Sequence, residues 1–154
     1  MNNGDHILHG LGYGAVYTGL GLVLLALSYL MLDLRTPGKL GAHLHRVHGP
    51  AEQPTQASYG AGVVAAAWLL GHGLVIFTAI WTNGDSDFGW AFLATALFGA
   101  LGTVLLAVTF EVVDLLTPGR LGEVLVEPGT ASPLAYVTAA SLLAMSGIIC
   151  ASNA

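Results

Sequence analysis

Four long apolar stretches dominate this 154-residue chain and determine what it can fold into. They run over residues 11–32, 61–81, 88–113 and 133–151. Each has the roughly 17–25 residues that a helix needs to cross a hydrocarbon core about 30 Å thick. Because the stretches are continuous rather than alternating, they predict helices, which satisfy every backbone hydrogen bond in lipid. The sequence therefore predicts an all-α, polytopic membrane protein with four transmembrane helices.

The shortage of charge excludes other classes of protein. Only 8% of the residues are charged, against about 25% in a typical soluble domain. Water would not solvate such a surface, and the net charge of −5 excludes a protein that binds nucleic acid. The single cysteine, Cys150, excludes an intrachain disulfide framework. The composition is that of a membrane protein whose surface faces the lipid bilayer.

Turn signals divide the chain into segments of one membrane domain. The triplets Thr36-Pro37-Gly38 and Thr117-Pro118-Gly119 end the first and third helices, because proline cannot continue a helix and glycine permits the turn. A polar turn at 83–87 joins the second helix to the third. The predicted segments are residues 1–57 with the first helix and its loop, 58–87 with the second helix and its turn, and 88–154 with a second two-helix unit.

The basic residues predict the orientation in the membrane. Arg35, Lys39 and Arg46 lie between the first and second stretches, and Arg120 lies between the third and fourth. The segments before the first stretch, between the second and third, and after the fourth have no Lys or Arg. Because basic loops tend to stay in the cytoplasm, we expect both basic loops there and both termini outside.

The two halves of the sequence repeat one another. Residues 15–44 align with residues 96–125 without a gap, and about half of the positions are identical. The match is strongest in an Asp-x-x-Thr-Pro motif, present as Asp33, Thr36 and Pro37 and again as Asp114, Thr117 and Pro118. Since each unit crosses the membrane twice, both copies enter it in the same direction. The fold is therefore predicted to consist of two parallel two-helix repeats.

These paired helix–Asp-x-x-Thr-Pro–helix units resemble the bacterial inner-membrane family called domain of unknown function 350. The resemblance covers nearly the whole chain, in two copies. It implies a four-helix, multi-pass protein of the bacterial plasma (inner) membrane with no established activity. The family often has an asparagine at the entry to the second and fourth helices. Here those entries read Ser58-Tyr59-Gly60-Ala61 and Ser132-Pro133-Leu134-Ala135, which departs from that pattern.

Asp33 and Asp114 are candidates for a polar site because a carboxylate near the C-terminus of a helix opposes the helix dipole. In one interpretation, the two carboxylates face each other across the repeat axis and bind a cation or relay protons. In the other, each accepts hydrogen bonds from its Thr-Pro-Gly turn or pairs with a basic neighbour. The second interpretation explains why Asp, Thr and Pro recur as a unit.

Glu111 and His72 are candidates for an ion or proton path. Glu111 breaks the repeat, since Leu30 occupies its place in the first copy. It lies one turn before Asp114, about 4.5 Å along the axis, so the two like charges need a proton or a nearby cation. His72, in the middle of the second stretch, has a side chain that can pass protons. The structural alternatives are a contact of Glu111 with headgroups or Arg120, and a hydrogen bond from His72 across a helix interface.

The sequence predicts no metal site and no cofactor. His43, His45 and His48 lie close together, but their spacing matches no tetrahedral site and no cysteine accompanies them. This stretch is predicted to form a short interfacial helix. Asp85 and Asp87 offer too few oxygen ligands for Ca²⁺ and are predicted to form a solvated turn. No nucleotide-binding or hydrolase motif is present in the sequence.

These features predict a non-enzymatic integral membrane protein. Its 21 glycines, with many alanines, give every helix small surfaces that allow close approach in lipid. The leading interpretation is a homo-oligomeric scaffold, or a subunit that binds a partner protein in the membrane. The alternative is a small oligomeric ion channel or proton-coupled transporter, because four helices alone leave little room for a path. The residues assigned to such a path are Asp33, His72, Glu111 and Asp114.

Overall fold

A computed structural model describes residues 3–36, 38, 40–44, 57–84, 87–116, 122 and 131–153. Within these ranges it has five helices: α1 (Asn3–Arg35), α2 (Leu40–Leu44), α3 (Tyr59–Asn83), α4 (Phe88–Leu116) and α5 (Pro133–Asn153). All except the short α2 are long and apolar enough to cross a membrane. The prediction of an all-α protein with four membrane-spanning helices is confirmed.

The membrane helices extend beyond the apolar stretches that predict them. The largest extension is in α1, which begins at Asn3 rather than at residue 11. Its 33 residues correspond to a length of about 50 Å, at 1.5 Å per residue, which exceeds a hydrocarbon core about 30 Å thick. The hydropathy pattern marks only the part of a helix that lies among the lipid tails. The helical hydrogen bonds of the backbone continue beyond it, into the interfacial region, so the helix is longer than its apolar stretch.

α3 and α4 occupy the centre of the bundle, and each of them packs against the other three membrane helices. α3 makes its most extensive contact with α5, while α1 and α5 lie at opposite edges. The core is centred on Trp68 of α3, which is fully buried and stands edge-on to Phe110 of α4. This packing places α1 on one side of the bundle, with much of its surface uncovered.

Small residues allow the helices to approach within the bundle. A Cβ atom built on Gly99 of α4 would lie 2.5 Å from Cδ1 of Leu24 on α1. A Cβ atom built on Gly102 would lie 2.6 Å from Cγ1 of Val75 on α3. A side chain at Gly99 would force the end of Leu24 to move, and one at Gly102 would force the β-branched Val75 to move, so glycine lets the helices approach at both contacts.

The connection from α1 to α3 is held by backbone geometry and capping. Gly38 has a φ of +83°, a conformation that residues with a side chain rarely adopt. The backbone N–H of Ser58 donates to the carbonyl of His43 at 2.9 Å, which ties the end of α2 to the start of α3. The hydroxyl of Ser58 accepts from the N–H of Ala61 at 3.2 Å and caps α3.

The helices alternate in direction, so the bundle has two distinct ends. We name as the motif end the one where α1 and α4 finish and α3 and α5 begin. We name as the N-terminal end the one where α1 and α4 begin and α3 and α5 finish. The four basic residues of the sequence all belong to the segments at the motif end.

Candidate functional site

The first Asp-x-x-Thr-Pro motif holds the turn between α1 and α2. The carboxylate of Asp33 accepts a hydrogen bond from the backbone N–H of Leu40, the first residue of α2, at 2.6 Å. The hydroxyl and the backbone N–H of Thr36 both donate to the carbonyl of Leu32, at 3.0 and 3.1 Å. In this copy, the aspartate and the threonine satisfy backbone groups where one helix ends and the next begins.

The second copy of the motif is described only in part. Asp114 is half-buried near the end of α4. Thr117 and Pro118, like Pro37 of the first copy, lie outside the described residues. A polar site shared by the two motifs therefore stays a prediction, as does the arrangement of Asp33 and Asp114 across a repeat axis.

Glu111 forms an ion pair with Arg35, which ties α4 to α1 at the motif end. The guanidinium group of Arg35 supplies a counter-charge to the carboxylate of Glu111, which lies one turn before Asp114 in the sequence. The two side chains are 36% and 55% exposed, so the pair belongs to the class of surface ion pairs that contribute about 0–1 kcal/mol. Arg120, the partner considered from the sequence, lies outside the described residues.

Both members of this ion pair lie at positions where the two similar sequence segments, 15–44 and 96–125, differ. The ungapped alignment places Leu116 opposite Arg35 and Leu30 opposite Glu111. Both leucines are exposed. The ion pair therefore joins two positions at which one half of the chain has a charge and the other has leucine. Sequence reasoning missed Arg35 as the partner of Glu111. The signal for it was that, in the same alignment, each of these two charged residues stands opposite a leucine.

His72 is fully buried in the middle of α3 and makes a hydrogen bond across a helix interface. Its Nε2 atom lies 3.2 Å from the hydroxyl oxygen of Thr103 on α4. That hydroxyl donates to the carbonyl of Gly99 at 3.1 Å, so its oxygen accepts from Nε2–H and the ring proton is assigned to Nε2. The Nδ1 atom is buried and has no hydrogen-bond partner among the described residues.

The two candidates for an ion or proton path are not adjacent. Thr103, which contacts His72, is eight residues from Glu111 on α4, about 12 Å along the helix axis. The buried residues of α4 between these positions are all apolar: Leu106, Ala107 and Phe110. The structure thus places His72 in the core and Glu111 in an exposed ion pair, with an apolar layer between them.

Sequence reasoning also missed a hydrogen bond at the centre of the bundle. The indole N–H of Trp68 donates to both the carbonyl oxygen and the hydroxyl of Ser28 on α1, at 3.0 and 2.7 Å. Tryptophan in a membrane helix is enriched at the interface, where its N–H reaches water. A tryptophan in the middle of an apolar stretch therefore needs a partner inside the bundle, and this was the signal in the sequence.

In the described part of the chain, no group of three or more His, Cys, Asp or Glu side chains is close enough to hold a metal ion. His43 is described at the end of α2. His45, His48 and Asp85 lie outside the described ranges.

The family follows from a comparison with known proteins. Residues 6–153, which cover nearly all of the four membrane helices, match the family model described as Domain of Unknown Function (DUF350). The chain belongs to the DUF350 family. The resemblance inferred from the Asp-x-x-Thr-Pro units is therefore confirmed at the level of the family.

Relatives of this DUF350 chain are named as membrane proteins. It is 32% identical over 145 residues to a UPF0719 transmembrane protein of Mycolicibacterium paratuberculosis. The aligned region covers 94% of this chain and 89% of the relative. It is 28% identical over 145 residues to UPF0719 transmembrane proteins of Mycobacterium bovis and Mycobacterium tuberculosis, covering 94% of this chain and 88% of each relative. No solved structure gives a significant match. The DUF350 chain is an integral membrane protein, and the names of its relatives describe no activity.

Proposed function

We propose that this DUF350 chain is a non-enzymatic membrane subunit that self-associates and serves as a scaffold or as a docking subunit for a partner protein in the same membrane. The observation that carries the proposal is a face of α1 that the bundle leaves uncovered. We call it the outward face of α1 and define it by four small residues: Gly12, Ala15, Gly19 and Ala26.

The spacing of these residues places them on one side of the helix. They are three, four and seven residues apart, which corresponds closely to whole turns of an α-helix. All four are exposed, and nothing lies within 4 Å of a Cβ atom built on Gly12 or Gly19. The opposite side of α1 is the one that packs on the bundle, through Leu24, Ser28 and Leu32.

The glycines of the outward face differ from those inside the bundle. Glycine in a helix costs about 1 kcal/mol relative to alanine. At Gly99 and Gly102 close contacts with other helices of the same chain offset this cost. Gly12 and Gly19 have no such contact within the described residues. A second helix packed against α1 provides one, because small-residue faces allow close van der Waals packing in lipid.

The coverage of the helices supports the same proposal. Over the most apolar part of each membrane helix, 17% of residues are buried in α1 and 50% in α3. α1 is therefore the membrane helix with the largest surface left for an external partner. In the same proposal the motif end faces the cytoplasm of a bacterial cell and both termini lie outside, because all four Lys and Arg residues belong to the motif end.

A bulky residue on the outward face of α1 is expected to weaken self-association. In Gly19→Leu, the added side chain would separate the two backbones, so we expect the dimer to require at least about tenfold more protein per lipid. Labelled protein in liposomes, measured by Förster resonance energy transfer across a series of protein-to-lipid ratios, reports this shift.

The matched control is Gly147→Leu on α5. Gly147 is also an exposed glycine with nothing within 4 Å of a built Cβ atom, but it lies on the helix at the opposite edge of the bundle. We expect this variant to associate like the wild type. Equal association in Gly19→Leu and Gly147→Leu would contradict the assignment of the outward face of α1, and a wild type that stays monomeric at every ratio would contradict self-association.

A channel or proton-coupled transporter is the second candidate. It is favoured by the Nδ1 atom of His72, which is buried and has no hydrogen-bond partner in the part of the chain that the structure describes. We expect no proton flux above that of empty vesicles when the wild-type protein is reconstituted in liposomes under a valinomycin-driven potassium potential. A pH-sensitive dye inside the vesicles measures the flux. A flux that His72→Leu removes would overturn the scaffold proposal in favour of the second candidate.

A further inference from the structure

A cavity of about 240 Å³ opens at the N-terminal end of the bundle, between α1, the end of α3 and the start of α4. Its walls are formed by Tyr13, Tyr17, Ile80, Gly84, Asp87, Phe88 and Ala91. The volume is below the roughly 300–1,000 Å³ of sites for drug-sized ligands. Any ligand held here is therefore a small molecule or the head of a larger one.

The aromatic rings of this cavity meet at a corner. Tyr13 and Phe88 stack with their centroids 4.7 Å apart and their planes at 15°. Tyr17 stands at 81° to Phe88, with centroids 6.0 Å apart. Three aromatic rings in two nearly perpendicular orientations thus line the space. The faces of such rings carry the negative part of the quadrupole, which attracts a cation within about 6 Å of the centroid.

A carboxylate completes the lining. Asp87 precedes α4, its side chain is exposed, and within the described ranges that side chain makes no hydrogen bond or ion pair. The segments of the sequence at this end contain Asp5, Asp85 and Asp87 but no Lys or Arg. The charge that complements the cavity is therefore positive. The basic side chains of the sequence at this end are histidines, and the ring centroid of His9 lies 6.4 Å from that of Tyr13.

We propose that this cavity, which we call the aromatic corner, binds the ammonium group of a small organic amine. The rings of Tyr17 and Phe88 attract the positively charged N–H or N–CH3 groups of the ammonium, and the Asp87 carboxylate neutralises its charge. Aromatic walls with one carboxylate are suited to a substituted ammonium, because a metal ion needs more oxygen ligands than one carboxylate provides. The same chemistry is present in the headgroup of an aminophospholipid and in a free amine.

The first arm of the test uses choline, a soluble quaternary ammonium ion, as the probe for an occupant that is not a lipid. Full-length protein in nanodiscs of phosphatidylglycerol, which has no ammonium group, is titrated with choline and with its neutral isostere 3,3-dimethylbutan-1-ol. Isothermal titration calorimetry against empty nanodiscs measures binding to the protein. We expect choline to bind at least about tenfold more tightly than the alcohol. We also expect Asp87→Asn and Phe88→Leu each to weaken choline binding about tenfold.

The second arm tests a lipid headgroup as the source. Protein from nanodiscs that contain phosphatidylethanolamine and phosphatidylglycerol is analysed by native mass spectrometry. If the occupant is a lipid, we expect the wild type to retain phosphatidylethanolamine selectively and Asp87→Asn to lose it. If the occupant is a free amine, we expect choline binding without selective retention of the lipid.

The matched control for Phe88→Leu is Phe98→Leu on the same helix. The two phenylalanines are 38% and 37% exposed, but Phe98 does not line the cavity. We expect Phe98→Leu to bind choline like the wild type.

Asp87→Asn changes charge without changing volume at an exposed position, so its fold is preserved. The proposal would be overturned if choline and the alcohol bound equally and no lipid were retained selectively. It would also be overturned if neither Asp87→Asn nor Phe88→Leu changed the binding of choline.

Discussion

Replacement of Trp68 by alanine is expected to lower the free energy of unfolding by about 3–5 kcal/mol. Trp68 is fully buried at the centre of the core and contacts Phe110 edge-on. Its indole N–H also donates to two oxygens of Ser28, which makes it the link between α3 and α1. Alanine would leave a cavity and would remove the donor from two buried acceptors. Titration of the protein in mixed micelles with sodium dodecyl sulfate, followed by circular dichroism, measures the change.

Two further variants separate the causes. Trp81→Ala removes the same side chain from α3 at a position that is 77% exposed, so we expect a change of less than about 1 kcal/mol. Trp68→Phe keeps most of the ring volume but loses the N–H donor, so we expect an intermediate loss of about 1–3 kcal/mol. A loss in Trp68→Ala as small as that in Trp81→Ala would show that the core is not organised around Trp68.

Replacement of Gly71 by valine is expected to destabilise the protein by about 2–3 kcal/mol. Gly71 lies where α3 crosses α5. A Cβ atom built on it would overlap the hydroxyl of Ser146 and would lie 3.1 Å from the Cβ atom of Ser146 and 3.7 Å from the backbone oxygen of Leu142. Valine would therefore push apart the two helices that share the most extensive interface. The same micelle titration measures the loss.

The matched control is Gly73→Val, two residues further along α3. Nothing lies within 4 Å of a Cβ atom built on Gly73, and valine has a higher helix propensity than glycine, so we expect no loss of stability. Adding Ser146→Gly to Gly71→Val removes the atoms that clash, so we expect the double variant to recover part of the loss. Equal stability of the two valine variants would mean that α3 and α5 are not closely packed at Gly71.

The membrane-spanning helices could be predicted from the sequence because the thickness of a bilayer sets their length. Residues 88–113 predicted α4 with the correct start, and residues 133–151 did the same for α5. The start of α1 could not be predicted in the same way. Its first turns are polar, and a hydropathy pattern carries no information about a helix that continues beyond the lipid tails.

The contacts of the candidate residues were harder to predict, since they depend on how the helices cross. A role for Asp33 in its own turn could be inferred because its partner, Leu40, is only seven residues away. Arg35 and Glu111 are on helices that are far apart in sequence, and nothing local indicates that they meet. The aromatic corner was missed for the same reason, since Tyr17 on α1 gains a role only from its position beside Phe88 on α4.

The ion pair between Arg35 and Glu111 has a consequence for assembly. Because residues 15–44 and 96–125 have similar sequences, chains are at risk of mispairing, in which α1 of a neighbouring copy takes the place of α4 or α4 takes the place of α1. A foreign α1 in the place of α4 would present Leu30 to Arg35, and a foreign α4 in the place of α1 would present Leu116 to Glu111. Either mistake leaves a charge unpaired beside leucine. The ion pair thus favours α1 beside α4 over two copies of α1 or two copies of α4 side by side, whether the helices come from one chain or from two.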